Sequence, residues 1–261
     1  ATYLPRLERE YAFWMDGRER LSEGAPAYRR LVRLPDGSFL NRYWDDREDP
    51  RAEMYHDDVE TAKQNDRSPQ VIYRDLRAAA ESGWDFSSRW LADARNLHTI
   101  RTTEIIPVDL NALLYHLEMT IATAARATGD EARAEQYETY AADRRAALLR
   151  YCWDPVTGFF NDYDFTAQRP TGILSLAGLF PLYFQMADSA QAEAVAAVVE
   201  RQFLKPGGVV TTLNRTGQQW DAPNGWAPLQ WITIQGLRRY GHTDLADTIR
   251  QNWVDLNLRI Y

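Results

Sequence analysis

Apolar side chains recur at helical spacing along most of the chain. Behind Pro107 they fall three or four positions apart, which predicts a helix that begins at this first-turn proline and stops near Gly129. Its apolar positions are Leu110, Leu113, Leu114, Leu117 and Ile121. The same period predicts helices over residues 6–15, 71–80, 130–151, 174–185, 190–203, 226–240 and 244–256, and a shorter helix that ends at Trp90. Residues 35–60 lack the period and form a long irregular stretch.

The predicted helices follow one another in pairs. Tight turns such as the one at Gly241 alternate with longer loops that contain Trp or Asp. Sequential helix pairs predict an all-α fold, and this alternation suggests an α/α toroid, in which loops at one end of the ring form the site. The sequence shows no clear internal repeat, so periodicity alone establishes paired helices.

Composition narrows the function classes. A chain of 261 residues, 45% of them hydrophobic, can bury a substantial core as one domain or a large part of one. The net charge is −7 and no basic stripe is present, which argues against nucleic acid as a partner. No apolar run reaches membrane-spanning length. Cys152 is single and the four histidines are isolated, so we expect no disulfide and no metal site.

The segment from Gln218 to Trp231 contains three tryptophans, two prolines, a glycine and one carboxylate, Asp221. Pro, Asn and Gly together break a helix, whereas three indole rings favour order, so the segment predicts an ordered loop that enters a helix. Rings beside a carboxylate and amides suit a sugar, whose C–H faces stack on Trp220 while Asp221 and Asn224 hold its hydroxyls. A structural loop between helices is the alternative.

A second aromatic segment reads SGWDFSSRW over residues 82–90 and places Asp85 between Trp84 and Phe86. A carboxyl group among aromatic rings is poorly solvated, which favours its neutral form and suits a general acid. Asp85 also fits an N-cap of a helix that starts near Ser87. The local sequence leaves both interpretations open.

The irregular stretch contains LNRYWDD (residues 40–46) and then Arg51 and Glu53. Arg51 can donate paired hydrogen bonds, and Glu53 can accept them from vicinal sugar hydroxyls. A solvated, salt-bridged surface loop is the alternative for a segment so rich in mixed charges.

QWDAPNGW (219–226), SGWDFSSRW (82–90), PVDLNALLYHLE (107–118) and LNRYWDD (40–46) together resemble trehalases of glycoside hydrolase family 37, in the same order along nearly the whole chain. QWDAPNGW is a highly specific signature of that family. The resemblance implies an α/α toroid of the six-hairpin glycosidase type that hydrolyses α,α-trehalose to two glucose molecules with inversion. The substrate would be this disaccharide, and the resemblance implies no cofactor, no nucleic-acid partner and no membrane.

The resemblance also implies roles for individual residues. The family's general acid falls on Asp85, and the glycine beside it falls on Gly83. Its substrate-binding motif RPESxxED falls on Arg51-Ala52-Glu53, where Arg and Glu match and the Pro is replaced by Ala52. We expect Trp220, Asp221 and Asn224 to line the same pocket.

Family members are about twice this length, so we expect residues 1–261 to be part of a single catalytic domain. The family's N-terminal part and the C-terminal segment with its catalytic base have no counterpart here, and we therefore assign no base, neither Asp109 nor Asp221. The run from Arg215 to Gln219 resembles periplasmic more than cytoplasmic trehalases, which predicts a periplasmic location, with the cytoplasm as the alternative. Alternative functions are another α/α-toroid α-glucosidase, such as a glucoamylase-like enzyme, and a non-catalytic fragment or degenerate homologue.

Overall fold

The structure, a computed structural model, describes residues 3–260, and helices are its main elements. In chain order the α-helices are α1 (Leu4–Trp14), α2 (Tyr55–Lys63), α3 (Pro69–Ser82), α4 (Val108–Ala127), α5 (Glu131–Cys152), α6 (Phe180–Tyr183), α7 (Ser189–Val198), α8 (Ala227–Arg239) and α9 (Thr243–Ile260). One π-helical segment, Val199–Phe203, continues α7.

Short antiparallel strands lie in the connections between helices. They are β1 (Ala27–Tyr28), β2 (Leu31–Arg33), β3 (Phe39–Asn41), β4 (Ile105–Ile106), β5 (Trp153–Asp154), β6 (Phe159–Phe160), β7 (Tyr163–Asp164), β8 (Arg169–Pro170), β9 (Leu204–Lys205) and β10 (Gly208–Val209). They pair in the orders β1-β2-β3, β4-β7-β8, β5-β6 and β9-β10. Strands of two or three residues are too short to show an alternating pattern, and the sequence predicted none of them.

The predicted helix pairs are confirmed where the sequence carries stop and start signals. Pro107 precedes α4, and the connection to α5 turns at Gly129, whose φ is 82°. The Asp130 side chain then accepts a hydrogen bond from the Arg133 amide at 3.1 Å and caps α5. Because only residues 128–130 join them, α4 and α5 run in opposite directions and pack along each other. Helices α8 and α9 form a second such pair across Gly241.

Three predicted elements differ in the structure. Residues 174–185, predicted as one helix, form a 3₁₀ segment (Leu176–Leu179) followed by the single turn α6. The helix expected to end at Trp90 is a 3₁₀ turn over Ser88–Trp90. Helix α2 begins at Tyr55, inside the stretch predicted to be irregular, and extends past its end to Lys63. Its signal was electrostatic rather than apolar: Asp57 and Asp58 lie in its first turn and Lys63 in its last, as the helix dipole favours.

The main hydrophobic core contains residues of α3, α4 and the segments between them. Ile72 and Leu76 of α3 pack there with Trp90 and with Leu110 and Leu114 of α4. The loop after α3 and the loop before α8 are both anchored on this core, through Trp90 and Ala222. None of the helices formed by residues 3–260 is long and apolar enough to cross a membrane.

Candidate active site

The segment that carries Asp85 begins where α3 ends. Gly83 follows the last residue of α3 with a φ of 77°, a left-handed conformation that glycine adopts without strain. Ser87 caps the next 3₁₀ turn, and its side chain accepts a hydrogen bond from the Arg89 amide at 3.2 Å. The capping role that the sequence allowed for Asp85 is therefore wrong, because Ser87 fills it.

Asp85 lies between two aromatic neighbours with its carboxyl group unengaged. Trp84 is buried, while Asp85 and Phe86 are half-buried. Within residues 3–260 the Asp85 carboxyl forms no hydrogen bond and no ion pair. The peptide bond between Asp85 and Phe86 is cis.

The loop formed by QWDAPNGW, residues 219–226, is called the signature loop here, and it holds the backbone of the segment that carries Asp85. The Gln219 side-chain Nε2 donates a hydrogen bond to the Asp85 carbonyl at 2.8 Å. The Trp220 amide donates to the Phe86 carbonyl at 3.1 Å. The two motifs that the sequence singled out, 134 residues apart, are thus joined by hydrogen bonds at the predicted acid itself.

Asp221 completes this attachment from inside the protein. Its side chain is 0% exposed and accepts hydrogen bonds from Ser87 Oγ at 2.9 Å, from the Ser88 amide at 2.8 Å and from Ser88 Oγ at 2.8 Å. Thr212 Oγ1 donates to the same carboxylate at 2.8 Å, and Thr216 Oγ1 donates to its second oxygen. Hydrogen-bond donors of the protein therefore surround the Asp221 carboxylate. The sequence pattern alone could not distinguish this buried carboxylate from one that faces a sugar.

Three indole rings form a stack over the junction. The Trp84 and Trp220 rings lie 5.0 Å apart between centroids, and the Trp220 and Trp226 rings 4.2 Å apart and nearly parallel, at 7°. Trp226 Nε1 and Asn224 Nδ2 both donate to the Gln219 carbonyl, at 3.0 and 3.1 Å. The loop is rigidly ordered by its own aromatic and amide groups, as its composition predicted.

Arg51 is buried, with an exposed fraction of 6%, although the sequence allowed a solvated loop here. Its Nε and Nη2 donate to the Asp58 carboxylate at 3.0 and 2.7 Å, and its amide donates to the same group at 2.8 Å. The guanidinium also lies over the Phe86 ring, 4.9 Å from its centroid. For Arg51 the surface-loop alternative is therefore wrong, whereas the ion pair Arg47–Asp49 nearby is exposed as that alternative describes.

Ala52 and Glu53 lie on the surface beside Arg51, in the 3₁₀ turn Ala52–Met54. No hydrogen bond or ion pair joins the Glu53 carboxylate to another described residue, so it is available to a ligand. Asn224 is exposed and lines a cavity of about 810 Å³ between the signature loop, the β9–β10 hairpin and α9. Asp85 is not among the described residues that line this cavity, so we do not identify it as the sugar site.

Arg89 was missed by the sequence reasoning although it lies within SGWDFSSRW. It is 1% exposed and lies between the Trp84 and Trp90 rings, 4.6 and 4.5 Å from their centroids. Its guanidinium binds Asp109 at 2.5 and 2.8 Å and Asp162 at 2.6 and 2.8 Å. Despite its burial, the two carboxylates hold the pKa of Arg89 well above its usual value. The signal in the sequence that could have indicated a buried arginine was the position of Arg89 between Ser88 and Trp90 in an aromatic segment.

The Asp109 carboxylate is thus bound by Arg89 in the interior, as the Asp221 carboxylate is bound by Ser and Thr. Neither residue was assigned as the catalytic base from the sequence. Among residues 3–260 no group of three or more His, Cys, Asp or Glu side chains is arranged to hold a metal ion.

Comparison with known proteins places these motifs in one family. The profile of the Trehalase family matches residues 1–261. The chain is 51% identical over 245 residues to the periplasmic trehalase of Citrobacter koseri; the match covers 94% of this chain and 43% of that protein. The chain therefore spans less than half the length of this relative.

Solved structures share the fold. Neutral trehalase Nth1 from Saccharomyces cerevisiae superposes with a TM-score of 0.68 at 24% identity, over 85% of this chain and 46% of that one. A mannosylglycerate hydrolase of family GH63 from Thermus thermophilus, in complex with glucose, gives a TM-score of 0.58 at 17% identity, over 99% of this chain and 60% of that one. The predicted α/α-toroid class is confirmed by these matches.

Proposed function

This chain belongs to the trehalase family, and from that premise we propose that the protein carrying it hydrolyses α,α-trehalose to two glucose molecules. The match to a relative named periplasmic trehalase, at 51% identity over 94% of the chain, carries the proposal. Because the chain spans 43% of that relative, the activity is proposed for the protein that carries it. The same relative, with the Arg215–Gln219 run, supports a periplasmic location.

Asp85 is the proposed general acid. Asp85 is half-buried between Trp84 and Phe86, and its carboxyl is bound by no side chain among residues 3–260, so it is free to contact the glycosidic oxygen and act there as the proton donor. Protonation of this oxygen turns the departing glucose into a neutral leaving group.

Inversion needs a second, ionised carboxylate that activates water on the opposite face of the sugar, roughly 6.5–9.5 Å from the acid. Asp109 and Asp221 are buried and bound by protein donors, so neither is proposed for this role. Proton transfer and water activation suffice for the hydrolysis, and we propose no cofactor.

The remaining predicted residues would orient the disaccharide. Asp58 holds Nε and Nη2 of Arg51, which leaves Nη1 without a partner among residues 3–260, and the Glu53 carboxylate is likewise unpaired there. Ala52 and the open space around the backbone of Gly83 would complete the sugar-binding surface. Trp220 and Asn224 would support that surface through the loop they belong to, because the Trp220 ring lies between two other indole rings and Asn224 lines a separate cavity. Asp221 contributes through the loop it holds.

Replacement of the acid tests the chemistry. In the full-length natural protein we expect Asp85→Asn to lower kcat on trehalose by about 10²-fold or more, because an amide cannot donate the proton. Asp66→Asn, at an exposed position without described partners, is the matched control. Release of glucose by Asp85→Asn at the parent's rate would refute the assignment.

The anomers of the first product test inversion. Inverting cleavage of one bond in α,α-trehalose gives one β-glucose and one α-glucose, whereas retention gives two α-glucose molecules. Proton NMR within the first minutes of reaction separates these outcomes.

Maltose is the comparison substrate, and a preference for maltose would favour a glucoamylase-like enzyme instead.

A further inference from the structure

Three consecutive residues of the signature loop hold four consecutive residues around the acid. Gln219 Nε2 binds the carbonyl of Asp85, the Trp220 amide binds the carbonyl of Phe86, and Asp221 binds Ser87 and Ser88. The contacts run in the same order along the two segments, and they continue without a gap from residue 85 to residue 88. We call residues 219–221 the clamp.

We propose that the clamp sets the position of the general acid, and that Gln219 and Asp221 are positioning residues for Asp85. This inference rests on the proposed function, because it needs Asp85 to be the acid. The acid's own side chain has no described partner that could fix it, so its position depends on the backbone on either side of it. A displacement of about 1 Å in a reacting group can cost 10²-fold in rate, so backbone contacts of this kind bear on catalysis.

The two ends of the clamp differ in burial, and this difference allows a clean test. Asp221 is 0% exposed and its five donors come from two segments, residues 87–88 and 212–216, so its removal would leave Ser and Thr hydroxyls unpaired and threaten the fold. Gln219 is exposed, and its side-chain amide makes one described hydrogen bond, to Asp85. Loss of that amide removes a contact to the acid while the core stays intact.

The decisive variant is Gln219→Ala in the full-length natural protein. We expect kcat on trehalose to fall by about ten- to a hundredfold while KM changes by less than about twofold, because substrate contacts are kept and only the acid is loosened. The melting temperature should match that of the parent. Gln218→Ala is the matched control, since the neighbouring glutamine has no described side-chain hydrogen bond.

Three results would overturn the inference. A kcat for Gln219→Ala equal to that of Gln218→Ala would show that the contact does not affect the acid. A raised KM with unchanged kcat would make Gln219 a sugar ligand. A lowered melting temperature, with activity restored on cooling, would make it a packing residue.

Amide hydrogen exchange keeps this inference separate from the proposed function. The Ser88 and Trp220 amides each donate across the clamp, and we expect both to exchange faster in Gln219→Ala than in Gln218→Ala. If the parent protein releases no glucose from trehalose, the proposed function fails and exchange still reports on the clamp. Equal exchange in the two variants would contradict the clamp whatever the activity.

Discussion

Arg51 shows at the scale of one residue how a charge in a polar stretch can become part of the interior. Nearby residues such as Asp49 and Ala52 are exposed, yet the Arg51 guanidinium is held between the Asp58 carboxylate and the Phe86 ring. An arginine fixed in this way loses little rotamer freedom when a ligand binds its remaining N–H groups. The pairing with Asp58 therefore prepares Arg51 for its proposed role at the sugar.

Asp58→Ala tests this pairing. The variant leaves a buried guanidinium without a counter-charge, so we expect the free energy of unfolding to fall by about 3–5 kcal/mol, measured by urea unfolding. Asp57→Ala, at the exposed neighbouring position, should change it by less than about 0.5 kcal/mol. A loss below about 1 kcal/mol for Asp58→Ala would mean that Arg51 finds solvent or another partner.

At the scale of elements, α3 is attached to the segment before α4 through a buried carboxylate. Asp75 of α3 accepts hydrogen bonds from the Thr103 amide at 2.8 Å and from Thr103 Oγ1 at 2.7 Å, and it pairs with Arg67 at 3.1 Å. Burial raises the pKa of Asp75 to about 6, against the hydrogen bonds from Thr103 and the charge of Arg67. The attachment is therefore sensitive to pH.

The sign of this pH dependence of stability follows from proton binding to Asp75 in the folded and unfolded states. Folded Asp75 binds its proton more tightly than unfolded Asp75, so its contribution to stability is greatest below pH 4 and is lost as the pH rises through about 6. Asp75→Asn should remove this slope, so its free energy of unfolding relative to the parent should rise by roughly 2–3 kcal/mol between pH 4 and pH 7. Urea unfolding at a series of pH values measures the difference. Parallel plots of unfolding free energy against pH for the variant and the parent would contradict this role of Asp75. Asp57→Asn, at an exposed position, is the control.

At the scale of the whole molecule, the candidate site is assembled from three distant segments. Residues 51–58, 83–90 and 211–226 meet through the Arg51–Phe86 contact, the Trp84–Trp220 stack and the clamp. A ligand that bridges these segments binds only the folded chain, and it should stabilise the whole molecule by mass action.

We expect Asp85→Asn in the full-length natural protein to bind trehalose without consuming it, and therefore to show this effect. At a trehalose concentration of about 100 times its Kd, we expect the free energy of unfolding to rise by about 2.7 kcal/mol. Sucrose at the same concentration is the control, because both sugars stabilise proteins non-specifically by exclusion from the surface. An equal shift with sucrose would argue against a trehalose site in these segments.

The fold was largely predictable because its signals are local. The apolar period behind Pro107 and the turn at Gly129 define α4 within two residues at each end, since both depend on neighbours within one or two helical turns. The exceptions are equally local in origin: α2 lacks a regular apolar stripe, and the strands are too short to show a period.

The sequence by itself determined the helix pairs α4–α5 and α8–α9, the two aromatic segments and the family to which they belong. Only the tertiary structure decided which polar groups face inward: that Asp58 holds Arg51, that Arg89 binds two carboxylates, and that Asp221 joins residues 87 and 88 from more than 130 positions away. Helical periodicity is a property of adjacent residues, whereas the partner of a buried charge is set by how distant segments pack, and no local pattern records that choice.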